Sequence, residues 1–587
     1  MPTGNVINRN FEEMFEIGVR FEIPFFQRGY AWEQRQWKKL FEDIQTEIIE
    51  NVSSNKFEDE EHFFGPIVVL EKISQHPSLK RFLVIDGQQR ITTAYLLLSV
   101  IRKLLEGKAH LSTEAQKYIA ELDKYTRNTI SGSDDYLKLK VFSTKGDRLP
   151  TYKAVFNTNP NSPHLAEDQL LYNPDENKID AFVKFAHRQL KNLDVPTLWQ
   201  WYQSILKSLK IVWIPLDDTK DDAQAIFESL NDAGMPLSAA ELLCNYIFRP
   251  LTNDTTNEHE KLHNEKWLAA RSAVGEANFE EYLRNLFSIG EKKRVGKERR
   301  MYVHFKIKNK KLTADNAKRT LEQILDYTNV YNQISKPIQH PPSNAEIKRM
   351  LIAINDTNMS SIYPFLMALL KSLENNSITE QEAVDILHET YVLLVRRKIT
   401  SLSVTKYDKF FPSLLDKIVN EPDKVKAFQK HVQAEQIWVA DQVFEDAFTT
   451  KELYNSRELN FSRHVLQELD KALQTFGEFP DYSTIHTIEH ILPQTLNDAW
   501  KTYLGGDATH YNLPTTINTL GNLCLNSQPA NSSFGQKPFI EKQAAYTDIS
   551  ALARDVKQRK ETWNIEAIEK RSKDLAQTAL QVWKWKI

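Results

Sequence analysis

Residues 485–494 read Ile-His-Thr-Ile-Glu-His-Ile-Leu-Pro-Gln, and residues 521–525 read Gly-Asn-Leu-Cys-Leu. The first stretch is mostly β-branched or apolar, so it is predicted to form a short strand, and a second hairpin strand is predicted from Asn522 to Asn526. The proline near the end of the first stretch should terminate that strand. The neighbours Glu489 and His490 would then stand at a strand end, on opposite faces or in a turn. Asn531 would lie at the start of a third element, a helix.

These residue types suit the hydrolysis of a phosphodiester. A neutral imidazole such as that of His490 can take the proton from an attacking water, an effect of about 10²–10⁴-fold on the rate. A carboxylate and an amide oxygen, here from Glu489 and Asn531, can hold one hard cation beside the leaving oxygen. Oxygen ligands favour Mg²⁺ or Mn²⁺ over zinc.

The stretch from about Asp481 to Tyr546 resembles the ββα-metal nuclease site, also called the HNH or His-Me finger. The resemblance implies that His490 is the general base, that Glu489 and Asn531 bind the metal, and that Asn522 holds the loop that carries the histidine. It differs from the usual family pattern in having Glu489 where an Asp is common. Lys537, in the segment Lys-Pro-Phe, is a candidate for a DNA phosphate contact, although a surface lysine would explain it equally well.

Two other interpretations of this stretch remain. His486-x-x-Glu489-His490 fits the inverted zincin pattern H-x-x-E-H, which would make the protein a metalloprotease. That motif needs a helix, and the β-branched neighbours argue against one. In the second interpretation, His490 is an ordinary polar residue in a tight turn.

Composition limits the class of protein. A chain of 587 residues should form two to four domains. The formal net charge is −3, so any nucleic-acid surface would be a local patch. The two cysteines, Cys244 and Cys524, lie far apart and suggest a reducing cytoplasm. The first ten residues lack the apolar core of a signal peptide, and no apolar run is long enough for a membrane span.

Two motifs stand out near the N-terminus, and the second has the features of an anion site. The first reads Ile-Pro-Phe-Phe-Gln-Arg-Gly-Tyr-Ala-Trp over residues 23–32. The second, Asp-Gly-Gln-Gln-Arg-Ile-Thr-Thr over 86–93, lies between a predicted strand at 82–85 and an apolar helix at 94–105. Free amides at a helix N-terminus favour phosphate, and Arg90 can add a bidentate contact. The alternative is a structural junction, with an Asp cap and an internally paired Arg.

Together these motifs, over about residues 11–246, resemble the N-terminal domain of GmrSD-type modification-dependent restriction enzymes, a domain similar to the ParB/sulfiredoxin-like fold. The resemblance implies binding or hydrolysis of a nucleoside triphosphate, and GTP, UTP, CTP and ATP remain open. The implied nucleotide-binding residues are Gln27, Arg28, Asp86, Gly87, Gln88, Gln89, Arg90 and Thr92. A later motif of the same domain is matched by Phe227, Glu228, Asn231 and Gly234, in a predicted helix-turn-helix joint.

The middle of the chain, from about 250 to 435, is predicted to be helical, with Trp267, Tyr282, Leu283 and Leu286 in its core. A basic strip spans residues 291–311 and could contact DNA, since phosphate contacts supply sequence-independent affinity. It includes Lys292, Lys293, Arg294, Arg299 and Arg300. A solvated charged face is the other interpretation. Arg396-Arg397-Lys398 is a second, smaller basic candidate.

The sequence therefore predicts an α+β multidomain protein. The expected segments are a ParB/sulfiredoxin-like nucleotide-binding domain (1–250), a helical linker or DNA-contact domain (251–430) and an HNH-type nuclease domain embedded in helices (431–587). The order of the two motif sets resembles that in a single-chain GmrSD-like type IV restriction endonuclease. That resemblance implies metal-dependent, NTP-regulated cleavage of modified double-stranded phage DNA in the cytoplasm, with NTPase activity; it leaves a homo-oligomer open. The alternative is a nucleotide-switched DNA- or partner-binding module with an inert nuclease fold.

Overall fold

A computed structural model provides the structure of this chain. It describes every residue except 1–5, 51–61, 73, 75, 111, 131–133, 218–236, 252–257, 475–478, 506–513, 547, 549 and 586–587. The chain divides into two compact units. Unit 1 comprises Met1–Leu268 and Phe305–Leu321, and unit 2 comprises Ala269–His304 and Glu322–Ile587. The three domains expected from the sequence stay a prediction.

Helices dominate both units. In chain order, α1 to α29 are Phe11–Met14, Gln34–Glu42, Gln88–Lys108, Thr113–Thr126, Arg148–Phe156, Leu165–Leu171, Lys178–Leu190, Val195–Gln203, Ala239–Phe248, Glu258–Leu262, Ala269–Val274, Phe279–Leu286, Arg299–Lys308, Ala314–Asp326, Thr328–Ser335, Ala345–Asp356, Tyr363–Glu374, Glu380–Ile399, Tyr407–Phe410, Leu414–Ile418, Lys424–Ala434, Asp441–Thr450, Leu459–Leu473, Asp498–Leu504, Pro514–Ile517, Gln528–Phe534, Phe539–Ala545, Ala551–Gln558 and Ile565–Val582. Together with the mixed sheet of unit 1, they confirm the predicted α+β class.

A six-stranded sheet frames unit 1. Its strands are β1 (Ile7–Asn10), β2 (Val19–Glu22), β3 (His62–Lys72), β4 (Lys80–Asp86), β5 (Val141–Phe142) and β6 (Leu209–Leu216), in the spatial order β1-β6-β3-β4-β2-β5. Strand β2 is parallel to β4 and β5, and β3 is parallel to β6 but antiparallel to β4. The strand predicted at 82–85 is therefore confirmed within β4.

The core of unit 1 is built around helix α3. Ile91, Tyr95, Leu98 and Ile101 of this helix are all fully buried. Helix α3 packs against α4, α7 and α8, so it is enclosed on several sides. This explains why its sequence is apolar around most of its circumference rather than along one stripe. It begins at Gln88, six residues before the predicted start, and thus includes most of the second motif.

The parallel strands bring distant loops to one edge of the sheet. The carboxyl ends of β2, β4 and β5 point the same way, and they lead into residues 23–32, Gly87 with helix α3, and residues 143–147. Crevices outside the carboxyl ends of parallel strands are common ligand sites. The topology thus brings the two N-terminal motifs to the same edge of the sheet, together with a third loop at residues 143–147.

Unit 2 is largely helical, and its C-terminal helix is tied to its middle. Arg396 Nε, on α18, donates to the carbonyl oxygen of Trp583 at 2.6 Å, and Trp583 Nε1 donates to Tyr391 Oη at 2.8 Å. All four predicted core residues of the middle segment are buried, namely Trp267 in unit 1 and Tyr282, Leu283 and Leu286 in unit 2.

A two-stranded hairpin lies among the C-terminal helices of unit 2. Strands β7 (Thr487–His490) and β8 (Leu523–Asn526) pair antiparallel, and helix α26 follows directly. The predicted order of strand, strand and helix is confirmed. Asn522 lies in the turn immediately before β8 rather than within the strand, where the sequence had placed it.

Among the described residues, no helix combines the length and apolar character required to cross a membrane. Ser238 and Glu241 form a capping box at the start of α9. The helix predicted from 222 to 230, together with the motif residues Phe227, Glu228, Asn231 and Gly234, lies outside the described residues.

Candidate functional site

The hairpin register separates the two central residues of the C-terminal motif. Glu489 lies opposite Cys524 and His490 opposite Leu523, and successive side chains of a strand point to opposite faces. The strand also contradicts the inverted zincin hypothesis, which needs both histidines on one helix. His486 lies outside β7, is exposed, and contacts the carbonyl oxygen of Ser483 through Nδ1 at 2.8 Å.

His490 is held in a partly buried polar niche. Its Nε2 lies 3.1 Å from Asn518 Oδ1, and the ring of Tyr454 packs edge-on at 4.5 Å between ring centroids. Because an amide oxygen only accepts hydrogen bonds, this contact places the ring proton on Nε2 and leaves Nδ1 as an acceptor. Burial lowers the pKa of His490 to about 4, so the imidazole is neutral near pH 7.

Asn522 fixes the backbone that follows His490. Its Oδ1 accepts from the amide of Leu492 at 2.7 Å, while its Nδ2 donates to the carbonyl oxygens of Leu492 at 2.9 Å and Ile517 at 2.8 Å. Trp563 Nε1 donates to the same Oδ1 at 3.2 Å. Asn522 is fully buried, so these contacts replace all of its hydration. The loop-holding role that the family resemblance implies for Asn522 stays a prediction.

Glu489 faces away from His490 into the interior. Its Oε1 accepts from Lys542 Nζ at 2.7 Å, and the side chains of Glu489 and Lys542 are 6% and 0% exposed. Burial raises the pKa of Glu489 and lowers the pKa of Lys542, and each charge opposes the shift of the other. The carboxylate that was predicted to bind a metal therefore already has a cationic partner within the protein.

The predicted metal ligands do not form a ready site. Asn531, on α26, donates through Nδ2 to the carbonyl oxygen of Ile488 at 3.4 Å, and Glu489 is engaged by Lys542. Within the part of the chain that the structure describes, no group of three or more His, Cys, Asp or Glu could hold a metal ion. Lys537 is exposed beyond the end of α26, where a phosphate could reach it.

In unit 1 a pocket with about 180 Å³ of empty space lies at the carboxyl ends of the parallel strands. Four predicted nucleotide-binding residues line it: Arg28, Gln88, Gln89 and Thr92. Gln88 Oε1 is buried and has no hydrogen-bond partner among the described residues. Gly87 caps α3 in a left-handed conformation (φ 91°), which lets the first turn of the helix face the pocket.

The other predicted nucleotide residues support the pocket without lining it. Gln27 Nε2 donates to the carbonyl oxygens of Val84 and Ile85, at 3.2 and 3.1 Å. Arg90 donates to the carbonyl oxygen of Pro66 at 3.0 Å and lies 3.9 Å from Asp86. For Asp86 and Arg90, the alternative of an internally paired junction therefore fits this geometry better than direct contact with a phosphate.

Asp147 and Tyr30 line the same pocket and were missed in the sequence. Asp147 Oδ2 accepts from the backbone amide of Tyr30 at 2.6 Å, and Oδ1 accepts from Asn177 Nδ2 at 3.2 Å. Gln89 also binds the loop that carries Tyr30, because its Nε2 donates to the carbonyl oxygen of Gly29 at 3.1 Å. Burial raises the pKa of Asp147 to about 6. A Gly-Asp pair after an apolar strand is the only sequence signal for this loop.

The residues of the basic strip differ in their exposure to solvent. Lys292, Lys293, Arg299 and Arg300 are exposed, whereas Arg294 is 8% exposed. The guanidinium of Arg294 contacts Glu281 and donates to Asn285 Oδ1 at 2.7 Å. Arg294 is therefore a structural residue of unit 2, and the prediction that it contacts DNA is wrong. The same holds for the smaller candidate, because Arg396 and Arg397 are 1% and 6% exposed.

Comparisons with known proteins agree with the two motif sets. Residues 7–248 match the model of the GmrSD restriction endonuclease N-terminal domain, and residues 438–578 match the model of the GmrSD restriction endonuclease C-terminal domain. The first match contains the pocket of unit 1, and the second contains the hairpin and His490. No curated protein matches the chain.

Proposed function

Because this chain belongs to the GmrSD-like type IV restriction endonucleases, we propose that it cleaves DNA at His490 and that a nucleoside triphosphate in the unit 1 pocket controls the cleavage. One observation carries the assignment of the catalytic residue. His490 is neutral, its Nε2 proton is directed to Asn518, and its Nδ1 can accept a proton. A general base of this kind needs both the correct charge and a free lone pair.

The chemical step assigned to His490 is proton removal. His490 Nδ1 takes one proton from a water molecule while the water oxygen attacks the phosphorus. The phosphorus–oxygen bond to one sugar breaks, and the departing alkoxide takes a proton from solvent. Asn518 keeps the imidazole in the tautomer that can accept, and Asn522 keeps the backbone beside it in place. These residues divide the work between proton transfer and positioning.

Mg²⁺ or Mn²⁺ is the proposed cofactor, since a hard cation would offset the charge on the leaving oxygen. Glu489 and Asn531, the ligands expected from the sequence, do not fit this ion as they are arranged. Oε1 of Glu489 accepts from the Lys542 ammonium, and Nδ2 of Asn531 donates to the carbonyl oxygen of Ile488. We propose no ligand from this pair for the ion.

The nucleotide proposal is supported by the pocket of unit 1. The N-terminus of α3, the amide side chain of Gln88 and the guanidinium of Arg28 suit phosphate oxygens. Hydrolysis of the bound triphosphate is part of this proposal, and GTP, UTP, CTP and ATP remain candidates.

The proposed substrate is double-stranded phage DNA that carries modified bases or a modified backbone, met in the cytoplasm. With a net charge of −3, the protein needs local basic surfaces to hold DNA. The proposed contacts are the exposed residues Lys292, Lys293, Arg299, Arg300 and Lys537. A homo-oligomer would duplicate these contacts, and it remains part of the proposal.

A cleavage assay with Mg²⁺ or Mn²⁺ tests this function. Plain DNA and DNA from phages with modified bases are compared, with and without each nucleotide. Wild type should cut at least one DNA, and His490→Ala should lose about 10²–10⁴-fold of the rate. His486→Ala is the matched control and should retain activity, because His486 lies outside the hairpin. Equal rates for wild type and His490→Ala would contradict the assignment.

The Glu489–Lys542 pair also favours a second candidate, a nucleotide-switched DNA-binding module with an inert nuclease fold. In that case a cation already occupies the carboxylate and no metal chemistry follows. This candidate predicts DNA binding that depends on nucleotide, with no cleavage of any DNA by wild type. The same assay, paired with a DNA-binding measurement, separates the two candidates.

A further inference from the structure

Lys542 is a fully buried lysine whose hydrogen bonds all go to one short segment. From helix α27, its Nζ donates to Glu489 Oε1 at 2.7 Å, to the carbonyl oxygen of His490 at 2.9 Å and to that of Ile491 at 3.2 Å. A lysine ammonium has three N–H donors, so every donor is used. A buried ammonium is stable only with such a complete set of acceptors.

Lys542 and Asn522 together account for the backbone that follows His490. The Lys542 ammonium donates to the carbonyl oxygens of His490 and Ile491. The carbonyl oxygen of Asn522 accepts from the amide of Ile491 at 3.0 Å. The side chain of Asn522 then takes both the amide and the carbonyl of Leu492. Each polar backbone atom from the His490 carbonyl to the Leu492 carbonyl therefore has a partner.

We propose that Glu489 and Lys542 are positioning residues that hold the turn after His490, and that Glu489 is not a metal ligand. The proposal rests on His490 being the general base. Glu489 keeps the Lys542 ammonium charged and oriented, and the ammonium holds the two carbonyls on which the orientation of His490 depends. The carboxylate thus acts on the reaction through Lys542 and the backbone.

Burial of Lys542 argues against an exchange of this ammonium for a metal ion. A metal that took Oε1 of Glu489 would have to displace the ammonium, and the Lys542 side chain is 0% exposed. The displaced charge would remain inside the protein without its partner, which is strongly unfavourable. It would also leave the carbonyl oxygens of His490 and Ile491 without donors.

The test compares Glu489→Gln, Lys542→Met and the double variant in the full-length protein. Three quantities are measured: affinity for Mn²⁺ alone by calorimetry, hydrogen exchange of the peptide that spans 488–494, and kcat and KM for DNA cleavage. Controls are Glu541→Gln and Lys573→Met, because both side chains are exposed in unit 2. The double variant replaces the ion pair by neutral groups of similar size, so it remains a test if a single variant fails to fold.

If the pair positions the turn, all three variants keep Mn²⁺ affinity within about threefold of wild type. Exchange of the 488–494 peptide accelerates, kcat falls about 10²-fold with KM unchanged, and the double variant is no worse than either single variant. If Glu489 is instead a metal ligand, Glu489→Gln weakens Mn²⁺ binding at least tenfold, and Lys542→Met strengthens it. Opposite shifts of this kind overturn the proposal.

The exchange measurement separates this proposal from the proposed function. If wild type cuts no DNA but exchange of the 488–494 peptide accelerates in the variants, the proposed nuclease activity fails and the role of the pair in holding the turn stands. If wild type cuts DNA but exchange of that peptide is unchanged in all variants, the positioning proposal fails and the nuclease assignment stands.

Discussion

Asn518 contacts His490 directly through its side chain and indirectly through its backbone, by way of Tyr454. Its side-chain Oδ1 lies 3.1 Å from His490 Nε2, and its backbone carbonyl accepts from the amide of Tyr454 at 3.1 Å. The ring of Tyr454 in turn packs against the imidazole. Asn518 therefore sets both the tautomer of His490 and the wall against which the ring rests, although it belongs to neither strand of the hairpin.

Replacing the Asn518 side chain should impair catalysis without impairing DNA binding. In Asn518→Leu the imidazole loses the acceptor that selects its tautomer, so kcat should fall about 10–100-fold while KM changes little. Asn518→Asp keeps an oxygen acceptor for Nε2 and should retain more activity than Asn518→Leu. Steady-state cleavage measures both values.

The control for these variants is Asn329→Leu, an exposed asparagine of the same unit, which should leave kcat unchanged. If Asn518→Leu raised KM and left kcat intact, Asn518 would be a binding residue and its proposed effect on the tautomer would be wrong.

Removing the Asn522 amide should destabilise unit 2. Asn522→Leu leaves the buried backbone groups of Leu492 and Ile517 and the indole N–H of Trp563 without partners. Each buried group left unpaired costs about 1–3 kcal/mol, so the total loss should exceed about 3 kcal/mol. Thermal melting measures it. Asn460→Leu, at an exposed position of unit 2, should melt like wild type.

The sequence was informative where a pattern is local. The β-branched and apolar residues around Ile488 predicted the first strand of the hairpin, and the motifs placed His490, Asn522 and the residues around Gln88. Lys542 gave no such signal, because its contact with Glu489 joins residues 53 apart through the packing of helix α27. A lysine looks alike in sequence whether it faces water or a buried carboxylate.

The same limit applied in unit 1. Asp147 meets Tyr30 over a separation of 117 residues, since β2 and β5 lie side by side in the sheet. Strand order cannot be read from either segment alone, so the third loop of the pocket was not predicted. Arg294 shows the opposite error. It was predicted to contact DNA because it lies in a basic run, but its side chain is buried.

Gly521 is required because a helix approaches it closely. A Cβ at this position would lie 2.0 Å from the carbonyl oxygen of Ile568 and 2.5 Å from Ser572 Oγ, both on α29. Gly521→Ala should therefore push the hairpin away from α29 and destabilise unit 2 by more than about 2 kcal/mol. Chemical denaturation checks this. Gly107→Ala is the control, because nothing lies within 4 Å of its Cβ and helix α3 favours alanine.

Asp147 should give unit 1 a dependence of stability on pH. Its pKa is about 6 in the folded protein against the ordinary value of 3.8 for an aspartate carboxyl, because burial disfavours the charge. Between about pH 4 and 6 the folded state binds more protons than the unfolded state, so the contribution of this group to stability falls as pH rises. Above pH 6 the burial of the charged Asp147 carboxylate lowers stability by its full amount, about 3 kcal/mol at most for a shift of roughly two pKa units.

Asp147→Asn removes this titration, although it also weakens the contacts to Tyr30 and Asn177 by an amount that does not vary with pH. The stability of the variant relative to wild type should therefore rise as pH increases from 4 to 6.5 and then level off. Melting curves of both proteins across this range measure the difference. A constant difference would mean that Asp147 keeps an ordinary pKa in the folded protein.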